Sequence, residues 1–388
     1  MDFQLFCCII DWVVFIAIAC SILYLLIFVL ASKFYHSKSY PDSDFFNRIL
    51  VLFPAYKEDD VILSSVNQFL QQNYPKDKYV LAVISDHMKD ETNESLRILP
   101  ISLLEVDFEK SSKAKALNFA INYYDVDRFD IVTILDADNV VEPVYLCKIN
   151  NTYNAGVKAM QAHRTAKNLQ NDVAIFDAVS EEVNNTIFRK GHCALGLSSA
   201  LVGSGMAFDY KWFVENVVHL RTAGEDKELE TLLMTQFVHI EYLEDLHVMD
   251  EKTSMNKVFY SQRQRWLSAQ YTALNTNIRK IAMCFRTGNI NYLDKIFQWM
   301  LLPRVVLFGL TALISFVLLL FVWPVAVKWL VLFFLLCVVF VLAIPWSLFW
   351  QFIRISFKIL PITFVIMIFN FFRIKKGKSF IHTPHGQE

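Results

Sequence analysis

The chain lacks several features whose absence closes off classes of function. Its 388 residues carry a formal net charge of −1, so the charge balance gives no reason to invoke nucleic acid, and no DNA- or RNA-binding motif occurs. The seven cysteines (7, 8, 20, 147, 193, 284 and 337) form no CxxC pair and no Cys/His ligand spacing. They read as reduced, structural residues, several of them in apolar segments where free cysteine behaves as a small hydrophobe, which suits a middle domain in the cytosol. Residues 1–11 have no lysine or arginine and carry Asp2 and Asp11, the wrong charge for the leader of a signal peptide. Gly203-Ser204-Gly205 is followed by no Lys-Ser/Thr, so it does not complete a phosphate loop; a tight turn between strands explains it at least as well.

What the chain has in excess is apolar surface. Hydrophobic residues make up 55% and the mean hydropathy is +0.35, against roughly 45–50% apolar for an average soluble domain. The excess sits at the two ends, while residues 33–298 read as an ordinary soluble domain large enough to bury its own core. Trp12 to Ala31 is twenty residues without a charge, long enough to cross a bilayer. Lys33, Lys38 and Arg48 follow it, which puts the middle domain in the cytoplasm by the positive-inside rule. Two further spans are expected at Val305–Phe321 and Val325–Ile344, joined at Trp323-Pro324. In Pro345–Phe372 the residues Gln351, Arg354 and Lys358 recur at helical spacing on one face, which reads as an amphipathic helix lying in the interface. The expected total is three spans, with the basic residues Arg373, Lys375, Lys376 and Lys378 in a cytoplasmic tail.

The middle domain alternates strand and helix patterns. Apolar runs at Arg48–Pro54, Tyr79–Ile84, 101–104 and Ile131–Leu135 are separated by helical patterns, which predicts an α/β fold with a mostly parallel sheet. Glu58 follows the first strand, Asp86 the second, and Asp136-Ala137-Asp138 the last. Each alone reads as a turn or cap residue. Together they fall on the carboxyl edge of a parallel sheet, where ligands bind in open α/β folds. Two adjacent carboxylates repel unless a cation lies between them, and a Mg²⁺ or Mn²⁺ completed by substrate phosphates meets that need. Lys113 nearby suits a site for a nucleoside diphosphate and its metal.

Two later stretches carry chemistry. Gly224-Glu225-Asp226 opens a helix whose first turns hold Glu225, Asp226, Glu228 and Glu230. The acids either stabilise the helix amino end or supply a general base. In Phe259–Gln270, residues Gln262, Arg265 and Trp266 share a helix face; they belong to a plain amphipathic helix or bind a phosphate and stack a sugar ring.

In order, Asp86, Asp136-Ala137-Asp138, Glu225-Asp226 and Gln262-Arg263-Gln264-Arg265-Trp266 resemble the inverting family 2 glycosyltransferases of GT-A fold. The resemblance is to the membrane-bound branch that includes cellulose, chitin and hyaluronan synthases. Pro54-Ala55-Tyr56-Lys57-Glu58, Lys113 to Asn118 and Gly203 to Met206 add smaller matches, so the resemblance covers about residues 48–270. It implies a GT-A (Rossmann-like) cytoplasmic domain that transfers a sugar from a nucleotide sugar, typically a UDP-sugar, to a saccharide or glycolipid acceptor with inversion. In that reading Glu58, Asp86, Lys113 and Asp136 bind the donor nucleotide, and Asp138 with Asp136 holds the metal. Asp226 takes the acceptor proton with Glu225 in support, and Gln262, Arg265 and Trp266 hold the diphosphate and acceptor. Gly224 stands where the polymer synthases usually carry threonine, and three spans are few for a chain that extrudes its own polymer. The alternatives are a single addition to a lipid-linked acceptor, polymer synthesis with partner subunits or a homo-oligomer, and a catalytically silent scaffold of an export complex. The implied domains are an anchor at 1–32, the catalytic domain at 33–270, interfacial helices at 271–300, two spans in 301–344 and the amphipathic segment with its tail at 345–388.

Overall fold

The computed structural model describes residues 3–222, 224–253 and 255–372, so the basic tail expected beyond residue 372 lies outside the described residues. Its first element, α1 (Phe3–Ser32), is a single apolar helix. At 1.5 Å per residue such a helix exceeds the roughly 30 Å of a bilayer core.

An extended segment then delivers the chain to β1 (Ile49–Tyr56), the middle of a parallel array. α2 (Ile62–Phe69) leads to β2 (Tyr79–Asp86), α3 (Asp90–Arg97) to β3 (Ser102–Val106), and α4 (Lys113–Tyr123) to β4 (Ile131–Ile134). Ser112 caps α4 by accepting the Lys115 amide at 3.3 Å. β1 pairs in parallel with β2 from Ile49↔Tyr79 to Tyr56↔Asp86, and with β4 from Ile49↔Ile131 to Leu52↔Ile134. The carboxyl ends of these strands therefore share one edge, as expected from the sequence. Both sheet faces are covered: Leu50 and Leu52 enter one core, and Ile49, Val51 and Phe53 enter the other. That is the period-two alternation of a strand buried on both sides.

Past β4 the sheet becomes mixed. β5 (Val140–Val141), α5 (Tyr145–Asn154), β6 (Ala159–Ala166), α6 (Asp172–Asn184), α7 (His192–Ala194), β7 (Met206–Asp209), α8 (Tyr210–Val217), α9 (Glu225–Thr235) and β8 (Ile240–Asp250) follow in order. The strand order is β3-β2-β1-β4-β7-β6-β8-β5, with β7 antiparallel to both β4 and β6. Between α6 and α7, Asn185–Gly191 forms a π-helical stretch. Gly191 lies so close to α1 that a Cβ there would sit 2.2 Å from the Phe28 carbonyl oxygen.

α10 (Asn256–Asn277), α11 (Ile281–Thr287) and α12 (Ile290–Met300) then lead to α13 (Arg304–Phe321), α14 (Trp323–Ala343) and α15 (Trp346–Phe372). Among the described residues four helices, α1, α13, α14 and α15, are long and apolar enough to cross a membrane, where the sequence reading expects three. The difference lies in α15. The sequence reading takes Pro345–Phe372 as an amphipathic interfacial helix because Gln351, Arg354 and Lys358 share a face; the structure has one apolar helix that runs unbroken through Pro361. Its first half packs on α6, with Phe352 stacked on Phe176 and Lys358 near Asp172. Its second half meets α13 where Gly309 lets Phe364 in; a Cβ on Gly309 would lie 2.2 Å from the Phe364 ring.

α1 and α14 run in the same direction. At one end Lys33 Nζ donates to Leu342 O (2.6 Å) and Thr186 Oγ1 to Ala343 O (2.9 Å). At the other, Asp11 pairs with Lys328 and accepts from Trp329 Nε1 (2.9 Å). Residue 33 and the end of α14 thus lie on the same side of the helix layer.

Replacing Gly191 with alanine is expected to cost about 1–3 kcal/mol, because the neighbouring atom is main chain and cannot swing aside. The check is the thermal unfolding midpoint in detergent: Gly191→Ala should lower it, and an unchanged midpoint would mean that α1 backs away freely.

Candidate active site

The ten residues singled out in the sequence come from six elements or their ends, and all of them line one cavity of about 480 Å³. Glu58 follows β1, Asp86 ends β2, Lys113 opens α4, Asp136 and Asp138 follow β4, Glu225 and Asp226 open α9, and Gln262, Arg265 and Trp266 lie on α10.

Lys113 joins the acidic groups. Its Nζ pairs with Asp136, donates to Gly203 O at 2.7 Å and lies 3.9 Å from Glu225 Oε1. Burial disfavours the Lys113 charge, but Asp136 and Glu225 outweigh it and raise its pKa above the ordinary lysine range. Burial pushes the Glu225 carboxyl up to about 7, against the opposing pull of Lys113 and with Asp226 adding to the rise. For Asp226, burial opposes ionisation, yet Lys227 outweighs it and holds the carboxyl below the usual range. The adjacent carboxyl groups are therefore driven apart: Asp226 stays ionised at neutral pH, and Glu225 titrates near it. Arg265 is lowered by burial, with Glu225 and Asp136 pulling the other way.

The two aspartates after β4 sit in different surroundings. Asp138 is 2% exposed and accepts from Asn139 Nδ2 (3.1 Å) and from the Glu251 amide (2.9 Å). Asp136 has a side chain 35% exposed, and its amide donates to Asn139 Oδ1 (3.0 Å). Asn139 thereby holds both, and it is itself bonded by Ser204 of the Gly-Ser-Gly turn. Gly203 and Gly205 both take positive φ (84° and 65°), and a Cβ on Gly205 would lie 2.9 Å from Val248. The turn therefore supports the aspartates and presents a carbonyl to Lys113.

A metal fits this donor set in one particular way. Asp136 and Asp138 offer two carboxylates, the number a Mg²⁺ or Mn²⁺ needs when it draws its other ligands from phosphates and water. Among the described residues, Asp86, His87 and Asp107 bring ligand atoms within 4.8 Å of one another. There His87 already bridges, with Nδ1 2.6 Å from Asp86 and Nε2 2.8 Å from Asp107. His87 lies next to Asp86 with a φ of 55°, and no sequence signal marks it.

On α10 the Gln262 Oε1 atom is buried without a hydrogen-bond partner and belongs to a residue lining the cavity. An unsatisfied amide oxygen in such a place costs about 1–3 kcal/mol unless a ligand donates to it. Arg263, between the motif residues, stacks on Trp266 at 4.8 Å and pairs with Asp177 at 2.6 Å. Gly224 also finds a reason here: a Cβ on it would lie 3.0 Å from the Ala269 Cβ, so α9 enters close against α10.

Glu230, which the sequence shows only as one acid of four on α9, proves to be structural. It is 1% exposed and accepts from the Leu201 amide (2.7 Å) and from Lys295 Nζ (3.2 Å), tying the extended segment before the Gly-Ser-Gly turn to α9 and α12. Breaking such a buried pair from one side leaves a stranded charge. Lys295→Met is expected to cost about 3–5 kcal/mol, and adding Glu230→Gln should return part of it. Unfolding midpoints of the single and double variants check this.

Residues 47–269 match the model of the family described as glycosyltransferase like family 2. Among solved structures, the mannosyltransferase PcManGT from Pyrobaculum calidifontis, in complex with GDP-Man and Mn²⁺, is 16% identical. That match covers 84% of this chain and 96% of the other at a TM-score of 0.50. Glucosyl-3-phosphoglycerate synthase from Mycobacterium tuberculosis, in complex with Mn²⁺, UDP and glucosyl-3-phosphoglycerate, is 15% identical over 58% of this chain and 80% of that one, with a TM-score of 0.41. Identities this low report likeness of fold alone. No curated protein matches the chain.

Proposed function

The chain belongs to the glycosyltransferase like family 2, and on that premise we propose that it is an inverting, metal-dependent glycosyltransferase held at the cytoplasmic face of a membrane. The observation that carries this reading is the convergence of Asp86, Asp136, Asp138, Asp226 and Arg265 on one cavity together with Lys113. A catalytically silent scaffold has no need of that set. The gathering of Gln262, Arg265 and Trp266 on the cavity wall supports the synthase-like branch.

The donor is a nucleotide sugar, with a UDP-sugar the first choice. Asp86 and Glu58 contact its nucleoside end, and Lys113 and Arg265 face the diphosphate. Asp138 and Asp136 would hold a divalent ion, which would supply Lewis acidity toward the departing phosphate. The similarly folded mannosyltransferase carries GDP-Man and Mn²⁺, which agrees with a site of this kind.

Transfer is one displacement. The acceptor hydroxyl gives its proton to Asp226, whose ionised state suits it to receive one. The hydroxyl oxygen forms a bond to the anomeric carbon from the face opposite the diphosphate. The bond from that carbon to the phosphate oxygen breaks, and the nucleoside diphosphate leaves with the electron pair. Lys113 and Arg265 stabilise the charge that grows on it. A single displacement inverts the anomeric centre. Glu225, titrating near neutrality, supports the base.

Purified protein incubated with radiolabelled UDP-glucose, UDP-N-acetylglucosamine and UDP-galactose, with Mn²⁺ or Mg²⁺, tests the reading. Asp226→Asn should lower transfer by about 10²–10⁴-fold while the donor still binds. Transfer unchanged in that variant would remove Asp226 from the role of base. Asp138→Asn should abolish the dependence of donor binding on the metal, measured by calorimetry with and without Mn²⁺.

A further inference from the structure

The cavity extends past the donor residues. Its wall also includes Leu25 of α1, Phe176 of α6, Leu307 of α13 and Met367 of α15. Three of these helices are among the four apolar enough to cross a membrane. These residues give the cavity an apolar arm, while Ser180, Arg263, Arg304 and Thr363 add polar groups to the same lining.

Arg304 is the first residue of α13. Its Nη2 donates to Ser180 O (3.2 Å) and Oγ (3.4 Å), while its Nη1 is buried with no hydrogen-bond partner. Among the described residues no carboxylate pairs with it. The neighbouring acids are already engaged: Asp177 by Arg263 (2.6 Å), Glu181 by both Arg164 (2.7 Å) and Arg189 (3.0 Å), and Asp250 by Lys252 (2.8 Å). Arg263 adds a second buried nitrogen, Nε, without a partner. Thr363 of α15 is 2% exposed and lines the same cavity, and its hydroxyl is buried and unpartnered.

The Arg304 guanidinium lies over the Phe188 ring at 5.9 Å but has no carboxylate pair, so an anion bound there would be stabilised by it. A phosphate matches the need in both charge and shape, because arginine's fork of N–H groups fits its oxygens. A neutral saccharide brings no charge and would leave Arg304 uncompensated. The apolar lining favours an acyl or isoprenoid chain over free phosphate. Resting on the glycosyltransferase reading above, we infer that this arm seats the phosphate of a lipid-linked acceptor. Arg304 and Arg263 face the anion, and Thr363 donates to it. The lipid chain lies along Leu307 and Met367, below the crossing of α13 and α15 at Gly309 and Phe364. The sugar end of such an acceptor points up the cavity toward Asp226.

The test uses the full chain in nanodiscs of neutral lipid and a long-chain polyprenyl phosphate as probe, with binding followed by tryptophan fluorescence. Wild type should bind the polyprenyl phosphate at least about tenfold more tightly than the dephosphorylated polyprenol, than phosphatidic acid and than inorganic phosphate. Equal affinity for the polyprenol would overturn the phosphate assignment, and equal affinity for inorganic phosphate would overturn the lipid. Equal affinity for phosphatidic acid would reduce the arm to a contact with bulk headgroups and so overturn the acceptor. These comparisons need no variant. Arg304→Gln should then weaken polyprenyl phosphate binding about tenfold or more, Arg304→Lys should restore part of it, and Thr363→Val should weaken it less. Undiminished binding by Arg304→Gln would overturn the inference. Donor binding by wild type in the same nanodiscs separates the two readings. If the nucleotide sugars fail to bind, the glycosyltransferase reading falls; if they bind while polyprenyl phosphate does not, only this inference falls.

Discussion

The rest of the site depends on one buried ammonium group. Lys113 reaches Asp136, Gly203 O and Glu225 at once, and it opens α4, where the helix dipole disfavours a cation. Its position is held by the carboxylates around it, and their crowding is tolerated because of Lys113. Without that charge, Asp136, Glu225 and Asp226 would repel one another in a low-dielectric crevice. The arrangement also joins the parallel half of the sheet, which delivers Asp136, to α9, which delivers Glu225 and Asp226.

Behind these groups stands a layer of residues whose work is to hold others. Asn139 fixes both aspartates, Ser204 fixes Asn139, and Glu230 ties the approach to the Gly-Ser-Gly turn to α9 and α12. The absence of a side chain at Gly224 lets α9 come close to α10. A site assembled from elements so distant in the chain needs such supports, because no single loop carries its geometry.

The side toward the apolar helices follows a different rule. There the sheet gives way to α6, the π-helical stretch and α10, where Glu181 pairs with Arg164 and Arg189, and Arg263 pairs with Asp177. α1 rests against Gly191, and α15 crosses α13 at Gly309. Apolar helices thus wall part of the cavity that the sheet edge opens.

Much of this was legible in the chain. Four apolar runs ending in polar residues announced the parallel strands, and the ordered motifs named ten residues that share one cavity. Local patterns suffice for that, since a strand's direction decides where its terminal carboxylate goes. The span count differs at α15: the charges Arg354 and Lys358 read as an interfacial face, whereas the helix packs on α6 and α13 and is long and apolar enough to cross a membrane. The roles of Arg304, His87 and Asn139, and the pairing of Arg263 with Asp177, carry no local signal because they depend on partners distant in the chain or on the lack of one. β7 likewise gives no sign in sequence that it enters the sheet antiparallel between β4 and β6. By itself the sequence determined which residue types would stand at the carboxyl edge of the sheet, because periodicity and strand direction are local properties. Only the tertiary structure decided which carboxylates share Lys113 and that Arg304 is left without an acid, because neutralisation of charge is settled by contacts between elements far apart in the chain.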